Sequence, residues 1–185
     1  MSGANYCYFC AQLPTLIAGT PAPMTLADFD RKLAFLPPAD VRYIASCTYP
    51  PKRESKFPAG SAAARFQEFE FALRGEIARL RLAGRAAEDA ARYPLPPETG
   101  RIPGLKDEVA RAASAANPWE RELKLDEVRW RVLSDMERGM AFSREAAACY
   151  RLKLALLLKE QKFRREVGKE NFTTASGEID RKSAE

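Results

Sequence analysis

The segment from Asn117 to Lys169 constrains the fold of this 185-residue chain more than any other part of it. It has the pattern of two long helices joined by a short turn that contains Gly139. At about 100° per residue, apolar side chains fall on two opposite sides of each helix, so each helix needs packing partners on both sides. This predicts an all-α helical bundle with long antiparallel helices and a core that includes Trp119, Trp130, Leu133, Leu154 and Leu157. The remaining apolar positions on these helices are Leu123, Leu125, Val128, Val132, Met136, Ala147, Tyr150, Leu152, Leu156, Leu158, Phe163 and Val167.

Helical patterns also occupy the first half of the chain. Thr25 and Asp28 have the spacing of a helix N-cap, and a short helix is predicted from Ala39 to Ser46. Ser61 opens a first long helix, whose apolar residues recur in alternating steps of three and four. The segment from Tyr6 to Leu13 is apolar and short, and its pattern fits either a helix or a strand. The stripe of the first long helix consists of Phe66, Phe69, Leu73, Ile77 and Leu80.

Proline and glycine divide the chain into parts. The stretch from Tyr93 to Gly104 contains four prolines and two glycines, a composition typical of a linker. We therefore predict an N-terminal helical part over 1–93, a Pro-rich internal linker over 94–104 and a C-terminal helical pair over 105–170. The pair is expected to pack on the N-terminal part as one compact domain. Residues 171–185 lack apolar periodicity and are expected to form a frayed tail.

The absence of histidine narrows the function classes, because it removes the commonest general base and the commonest zinc ligand. Paired acids such as Asp28 and Asp30, or Asp126 and Glu127, are interpreted as first-turn and surface charges rather than as an acid/base pair. The glycines lack the spacing and the Lys-Ser/Thr ending of a phosphate-binding loop. We accordingly predict a protein that is not an enzyme and has no cofactor.

Four cysteines stand at positions 7, 10, 47 and 149. Cys7 and Cys10 form a CxxC, but a structural zinc site needs four ligands, and the other two cysteines lack a second CxxC spacing. We interpret the pair as packing residues and predict no metal site. The start of the chain lacks the basic region of a secretory signal, and no segment approaches the roughly 20 apolar residues of a membrane span. A cytoplasmic location with reduced thiols is expected.

Basic residues concentrate near the end of the chain. Seven Lys or Arg and two Glu lie between Arg151 and Lys169, an excess equal to the net charge of +5 for the whole chain. This segment fits an acidic protein partner, a nucleic acid backbone or a solvated face. In the proline-rich loop from Tyr49 to Gly60, two aromatic side chains lie among Pro, Lys and Arg, where they could anchor a partner. The candidate partner-binding residues are Tyr49, Phe57, Arg151, Lys162, Arg164 and Arg165.

Five segments together resemble a known family. They read YCYF within Tyr6 to Pro14, TLADF from Thr25 to Phe29, FEFALRGEIARLR from Phe69 to Arg81, NPWE and LDEVRW within Asn117 to Trp130, and YRLKL from Tyr150 to Leu154. They are similar to an uncharacterised bacterial family typically encoded beside V-type ATPase subunits, in the gene position of the C subunit, the counterpart of eukaryotic subunit d.

The resemblance implies a non-enzymatic accessory or C-like subunit of a bacterial V-type ATPase. Such a subunit links the central stalk to the membrane rotor or assists their assembly, and it would reach the membrane only through its partner subunits. Two departures accompany the resemblance. The family tends to have a Gly-His-Tyr-Phe turn where this chain has Gly139-Met140-Ala141-Phe142, and this chain is shorter than a classical C subunit. The alternative function is a free-standing helical module that binds nucleic acid or an acidic protein surface.

Overall fold

A computed structural model of the chain describes residues 3–83 and 102–164. Within these two ranges every regular element is helical, so the prediction of an all-α bundle is confirmed. The segment that fitted either a helix or a strand forms the first helix. The described helices are α1 (Gly3–Ala11), α2 (Leu26–Lys32), α3 (Pro38–Ser46), α4 (Ala62–Ala83), α5 (Leu105–Ala113), α6 (Pro118–Glu137) and α7 (Arg144–Phe163), with a 3₁₀ turn over Leu33–Phe35.

The helices begin where their capping residues predict. Thr25 and Asp28 form a reciprocal capping box at the start of α2, in which each side chain accepts a hydrogen bond from the backbone N–H of the other. Asn117 Oδ1 accepts from the N–H of Glu120 at 2.8 Å, ahead of the proline that opens α6. Ser143 similarly caps α7. These caps fix the ends of the helices that carry most of the core.

Helix α7 lies in the interior of the bundle, since it packs against α2, α3, α4 and α6. The predicted burial of its two sides is confirmed at Leu152, Leu154, Leu156 and Leu157. Phe163, by contrast, is 62 % exposed near the end of the helix, so its predicted place in the core is wrong. Val167 lies outside the described residues.

Helix α6 buries Leu125, Leu133 and Met136, as its pattern predicts. Trp119 and Trp130 are only partly buried, so the prediction that they belong to the core is wrong. Trp119 lies in the first turn of α6, and Trp130 lies beside an open groove between α6 and α7. Helical spacing predicts on which side of a helix a residue lies, but it does not predict whether another element covers that side.

An aromatic seam, formed by Phe9, Phe29 and Tyr150, joins α1 and α2 to α7. The rings of Phe9 and Phe29 meet edge to face with centroids 5.8 Å apart, and Phe29 stacks on Tyr150 at 5.4 Å. The hydroxyl of Tyr150 donates to the backbone carbonyl of Pro14 at 2.7 Å. The seam therefore buries aromatic area and satisfies its one polar end.

None of the helices in the described part of the chain is long and apolar enough to cross a membrane. Of the predicted linker over 94–104, only residues 102–104 are described, and the tail over 171–185 lies outside the described residues.

Candidate functional site

A cluster of charged side chains lies where α4, α6 and α7 meet, and we call it the Arg129 cluster. Its members are Glu70 of α4, Glu122, Asp126 and Arg129 of α6, and Lys159 of α7. Arg129 donates through Nε to Glu70 at 2.9 Å and through Nη1 to Asp126 at 2.8 Å. Lys159 Nζ donates to Asp126 at 2.7 Å and also to Glu122. Opposite charges on three helices are thus brought together in the interior.

Burial makes this pairing energetically demanding. Glu70 is completely buried and Arg129 is 4 % exposed. A charge removed from water costs several kcal/mol unless opposite charges and hydrogen bonds compensate it. Each carboxylate and each cation of the Arg129 cluster has at least one oppositely charged partner within hydrogen-bond distance. These side chains are therefore engaged in holding the helices together.

The pKa shifts within the cluster reflect the balance between burial and pairing. Burial raises the pKa of Asp126 in spite of the nearby Lys159 and Arg129 charges. Burial alone would also raise the pKa of Glu122, but the hydrogen bond from Lys159 and the charge of Arg129 outweigh it and leave that pKa lowered. Burial opposes the charge of Arg129, whereas the carboxylate of Glu70 more than offsets this and raises its pKa. The guanidinium accordingly stays charged.

The two aromatic anchors predicted in the loop contact the chain itself. The ring of Tyr49 packs against Phe66 at 6.4 Å, with the cations of Arg129 and Lys159 at 5.5 and 5.4 Å from its centroid. Phe57 meets the ring of Tyr43 edge to face at 6.2 Å. Both side chains are partly buried against the core. The premise that the bundle leaves Tyr49 and Phe57 free for a partner is therefore wrong.

Arg151 is also used internally, contrary to its interpretation as a surface charge. It is 6 % exposed, donates to both carboxylate oxygens of Asp30 at 3.1 and 3.0 Å, and donates to the backbone carbonyl of Cys47 at 2.6 Å. Lys153 on the same helix is buried and pairs with Glu137. Together with Lys159, these pairings remove three cations of α7 from the surface available to an acidic partner or a phosphate backbone.

Two of the candidate partner residues remain accessible at the end of α7. Lys162 is exposed, and no hydrogen bond or ion pair of its side chain is found within the described ranges. Arg164 donates to the carbonyl of Gly19 at 3.0 Å and lies 3.9 Å from Glu160. Arg165 lies outside the described residues. Lys162 and Arg164 are thus close in sequence at one end of the bundle.

A second polar contact joins α3, α4 and α7 through Glu145. Its carboxylate accepts from the hydroxyl of Tyr43 at 2.7 Å and from the N–H of Ala62 in the first turn of α4 at 2.8 Å. Arg144 donates to the same carboxylate at 3.0 Å. Burial would raise the pKa of Glu145, but these three donors outweigh it and lower the pKa.

The buried charges do not follow from the apolar periodicity, although the sequence contains one signal of them. Glu70 is four residues after Phe66 and three before Leu73, so it lies on the apolar side of the first long helix. Asp126 was interpreted as a surface charge, and this is wrong, because it is buried beside Arg129. Because a buried charge has to be paired, an acid on the apolar side of one helix predicts a basic residue on the apolar side of another.

The cysteines divide into two pairs. Cys7 is exposed and Cys10 is partly buried on α1, where Cys10 borders a cavity of about 290 Å³ together with Lys153 and Glu137. Cys47 and Cys149 are buried, and burial raises the pKa of each thiol to about 12, so both are protonated at neutral pH. Among the described residues, no three Cys, Asp or Glu side chains are grouped so as to hold a metal ion.

Comparison of the chain with protein-family models, with characterised proteins and with solved structures finds no match.

Proposed function

We propose that this protein is a non-enzymatic accessory or C-like subunit of a bacterial V-type ATPase, which links the central stalk to the membrane rotor or assists their assembly. The observation that carries the proposal is that the separate segments resembling the family contact one another through specific side chains. Glu70 and Arg129, from two of these segments, form the central ion pair of the Arg129 cluster. Tyr150, from a third, contacts Phe29 and Pro14 of two others.

These contacts are consistent with the proposal, because the segments that carry the resemblance then belong to one folded unit. Apolar periodicity recurs in unrelated helical proteins. A buried Glu70 paired with a buried Arg129, 59 positions away, is more specific, because each of the two residues needs the other. The proposal expects members of the family to keep both partners of such a pair or to lose both. The contacts thus support the assignment of the separate segments to one fold.

The mechanical demands of a stalk linker agree with the type of core. A subunit that transmits torque has to keep its helices in register under load, and buried ion pairs disfavour sliding because displaced charges would lose their partners. The charged residues of the described interior are engaged in such pairs. In this proposal they have a structural role, and no catalytic step is assigned to them.

We assign contact with an acidic surface of an ATPase partner to Lys162 and Arg164, the two accessible cations near the end of α7. Charges at the rim of an interface chiefly accelerate association, and salt weakens their effect. The remaining candidates, Tyr49, Phe57 and Arg151, are withdrawn from this role because they pack internally.

The test is recovery of the tagged protein from its native cells, with its partners identified by mass spectrometry. The proposal expects stalk and rotor subunits of the ATPase in the eluate, in amounts that Lys162→Glu with Arg164→Glu reduces. Lys106→Glu with Lys124→Glu is the matched control, since it reverses two exposed cations elsewhere and should leave recovery unchanged. Absence of ATPase subunits would contradict the proposal. Salt-sensitive retention of the purified protein on nucleic acid would then favour the alternative function.

A further inference from the structure

Two cysteines lie one turn apart on α1, and one of them faces solvent. Cys7 and Cys10 are three positions apart within Gly3–Ala11, so their side chains lie on the same side of the helix. Cys7 is exposed, so it does not pack in the core, and Cys10 is partly buried. The other two cysteines of the chain, Cys47 and Cys149, are buried. Cys7 and Cys10 are therefore the pair of thiols that a reagent in solution can reach.

The spacing of this pair fits a disulfide after a small local adjustment. In an α-helix, residues three positions apart have Cα atoms about 5 Å from each other, within the range of roughly 4.4 to 6.8 Å that disulfides span. Their Cβ atoms are about 5 to 6 Å apart, roughly 1 to 2 Å further than in a disulfide. The turn of α1 that carries Cys7 and Cys10 therefore has to tighten when the bond forms.

The end of α1 provides room for this adjustment. Cys10 is next to the last residue of the helix, so no further helical turn holds it in place. The N–H groups of Gln12 and Leu13 donate to the carbonyls of Phe9 and Cys10 at 3.1 Å, in the i,i+3 pattern of a tightened last turn. Cys10 also borders the cavity of about 290 Å³, into which neighbouring atoms can shift.

The two thiols have different environments, and this assigns them different roles. Burial raises the pKa of Cys10 above its ordinary value of 9.0, and the nearby Cys7 and Glu137 raise it further. Cys10 is therefore mainly protonated at neutral pH, and a protonated thiol is a poor nucleophile. Because Cys7 is the accessible thiol, it meets an incoming reagent first, and Cys10 reacts second.

We propose that Cys7 and Cys10 form a redox-active dithiol site, which exchanges with small-molecule disulfides. The thiolate of Cys7 attacks one sulfur of the small disulfide, forms a mixed disulfide with it and releases the other half as a thiol. The thiolate of Cys10 then attacks Cys7 Sγ, which closes the intrahelical disulfide and releases the second half as a thiol. The two cysteines lose two electrons to the small disulfide, and their two protons end on the two released thiols. This inference does not depend on the proposed ATPase role.

The experiment treats the folded full chain with excess oxidised glutathione, blocks the remaining thiols by alkylation and measures masses before and after trypsin digestion. The N-terminal tryptic peptide, which ends at Arg31, contains both Cys7 and Cys10. It should resist alkylation and lose the mass of two hydrogen atoms, and dithiothreitol should reverse both changes. Cys47 and Cys149 serve as internal controls, since they are buried and should remain reduced.

Two single variants separate the steps. Cys10→Ser should stop after the first step, so that glutathione stays attached to Cys7. Cys7→Ser leaves only the partly buried thiol and should react about tenfold or more slowly. Circular dichroism should show the same helicity for both variants and the parent, and Cys10→Ala replaces Cys10→Ser if the hydroxyl disturbs the helix. Absence of the Cys7–Cys10 disulfide in the parent, equally fast oxidation of the buried cysteines, or equal rates for the two variants would overturn the inference.

Discussion

The Arg129 cluster and the aromatic seam both hold α7 in the bundle, yet they do so with different interactions. In the seam, Phe9, Phe29 and Tyr150 contact one another through ring faces and edges, and the only polar group bonds a backbone carbonyl. In the Arg129 cluster, Lys159 of α7 meets acids of α6, which in turn share Arg129 with Glu70 of α4. The seam contributes through area removed from water, whereas the cluster contributes through the match of opposite charges.

The two regions should therefore respond differently to substitution. An apolar contact tolerates another apolar side chain of similar volume, because its energy depends on area and packing. A buried ion pair does not tolerate loss of one member, because the other charge stays behind in a low-dielectric interior. The seam supplies stability through buried area, whereas the cluster makes the stability of the packing of α4, α6 and α7 depend on the presence of both members of each pair.

The largest effect is expected for Arg129→Met. This substitution keeps much of the side-chain volume, but among the described residues it leaves Glu70 with Arg74 as its one ion-pair partner, and the Arg74 side chain is 45 % exposed. We expect a loss of about 3 to 5 kcal/mol in the free energy of unfolding, measured by urea titration. A loss below about 1 kcal/mol would mean that water or rearrangement compensates Glu70, and the contrast between the two regions would fail.

A smaller effect is expected for Phe29→Leu in the seam. Leucine fills much of the space of the ring and leaves no charge unpaired, so the loss should stay below about 1.5 to 2 kcal/mol. Phe29→Ala is the matched control for volume, and it should cost about 3 to 5 kcal/mol. If Phe29→Leu destabilises as much as Phe29→Ala, ring geometry rather than area governs the seam.

The fold class could be predicted from the sequence, because apolar periodicity and capping residues determine local structure directly. The alternation of Phe66, Phe69 and Leu73 and the caps at Asn117 and Ser143 correspond to observed helices. The candidate site could not be predicted in the same way. Arg151 is positive and Asp126 is negative in the sequence whether each faces water or an opposite charge far along the chain, as Asp30 and Lys159 are.

The two tryptophans show the same limit of prediction from a single sequence. Their spacing assigned them to an apolar side of α6, but Trp130 borders an open groove. Exposure depends on whether another element covers a helix, and this is a property of tertiary packing. The pairs between distant helices are therefore the part of the structure that a single sequence reveals least.

The smallest effect is a pH dependence that separates ionic contacts from aromatic ones. The pKa of Glu145 is lower in the folded chain than its ordinary value of 4.5, so its contribution is fully present above about pH 4.5 and is lost as the pH falls through the folded-state value. Glu145→Gln should thus lower the free energy of unfolding by about 1 kcal/mol at pH 7 and by less at about pH 3.5. The effect of Phe29→Leu should be the same at both pH values. An effect of Glu145→Gln that does not change between them would contradict the ionic role of this carboxylate.

The pairing of Glu70 with Arg129 across α4 and α6 is tested most directly by a double-mutant cycle. Glu70→Met, Arg129→Met and the double variant would be compared with the parent by urea titration at neutral pH. The double variant should be more stable than the sum of the single losses predicts, with a coupling of about 2 to 3 kcal/mol, because removal of both charges leaves neither one buried alone. A coupling below about 0.5 kcal/mol would mean that the two side chains act independently, and the buried pair would not be what aligns these helices.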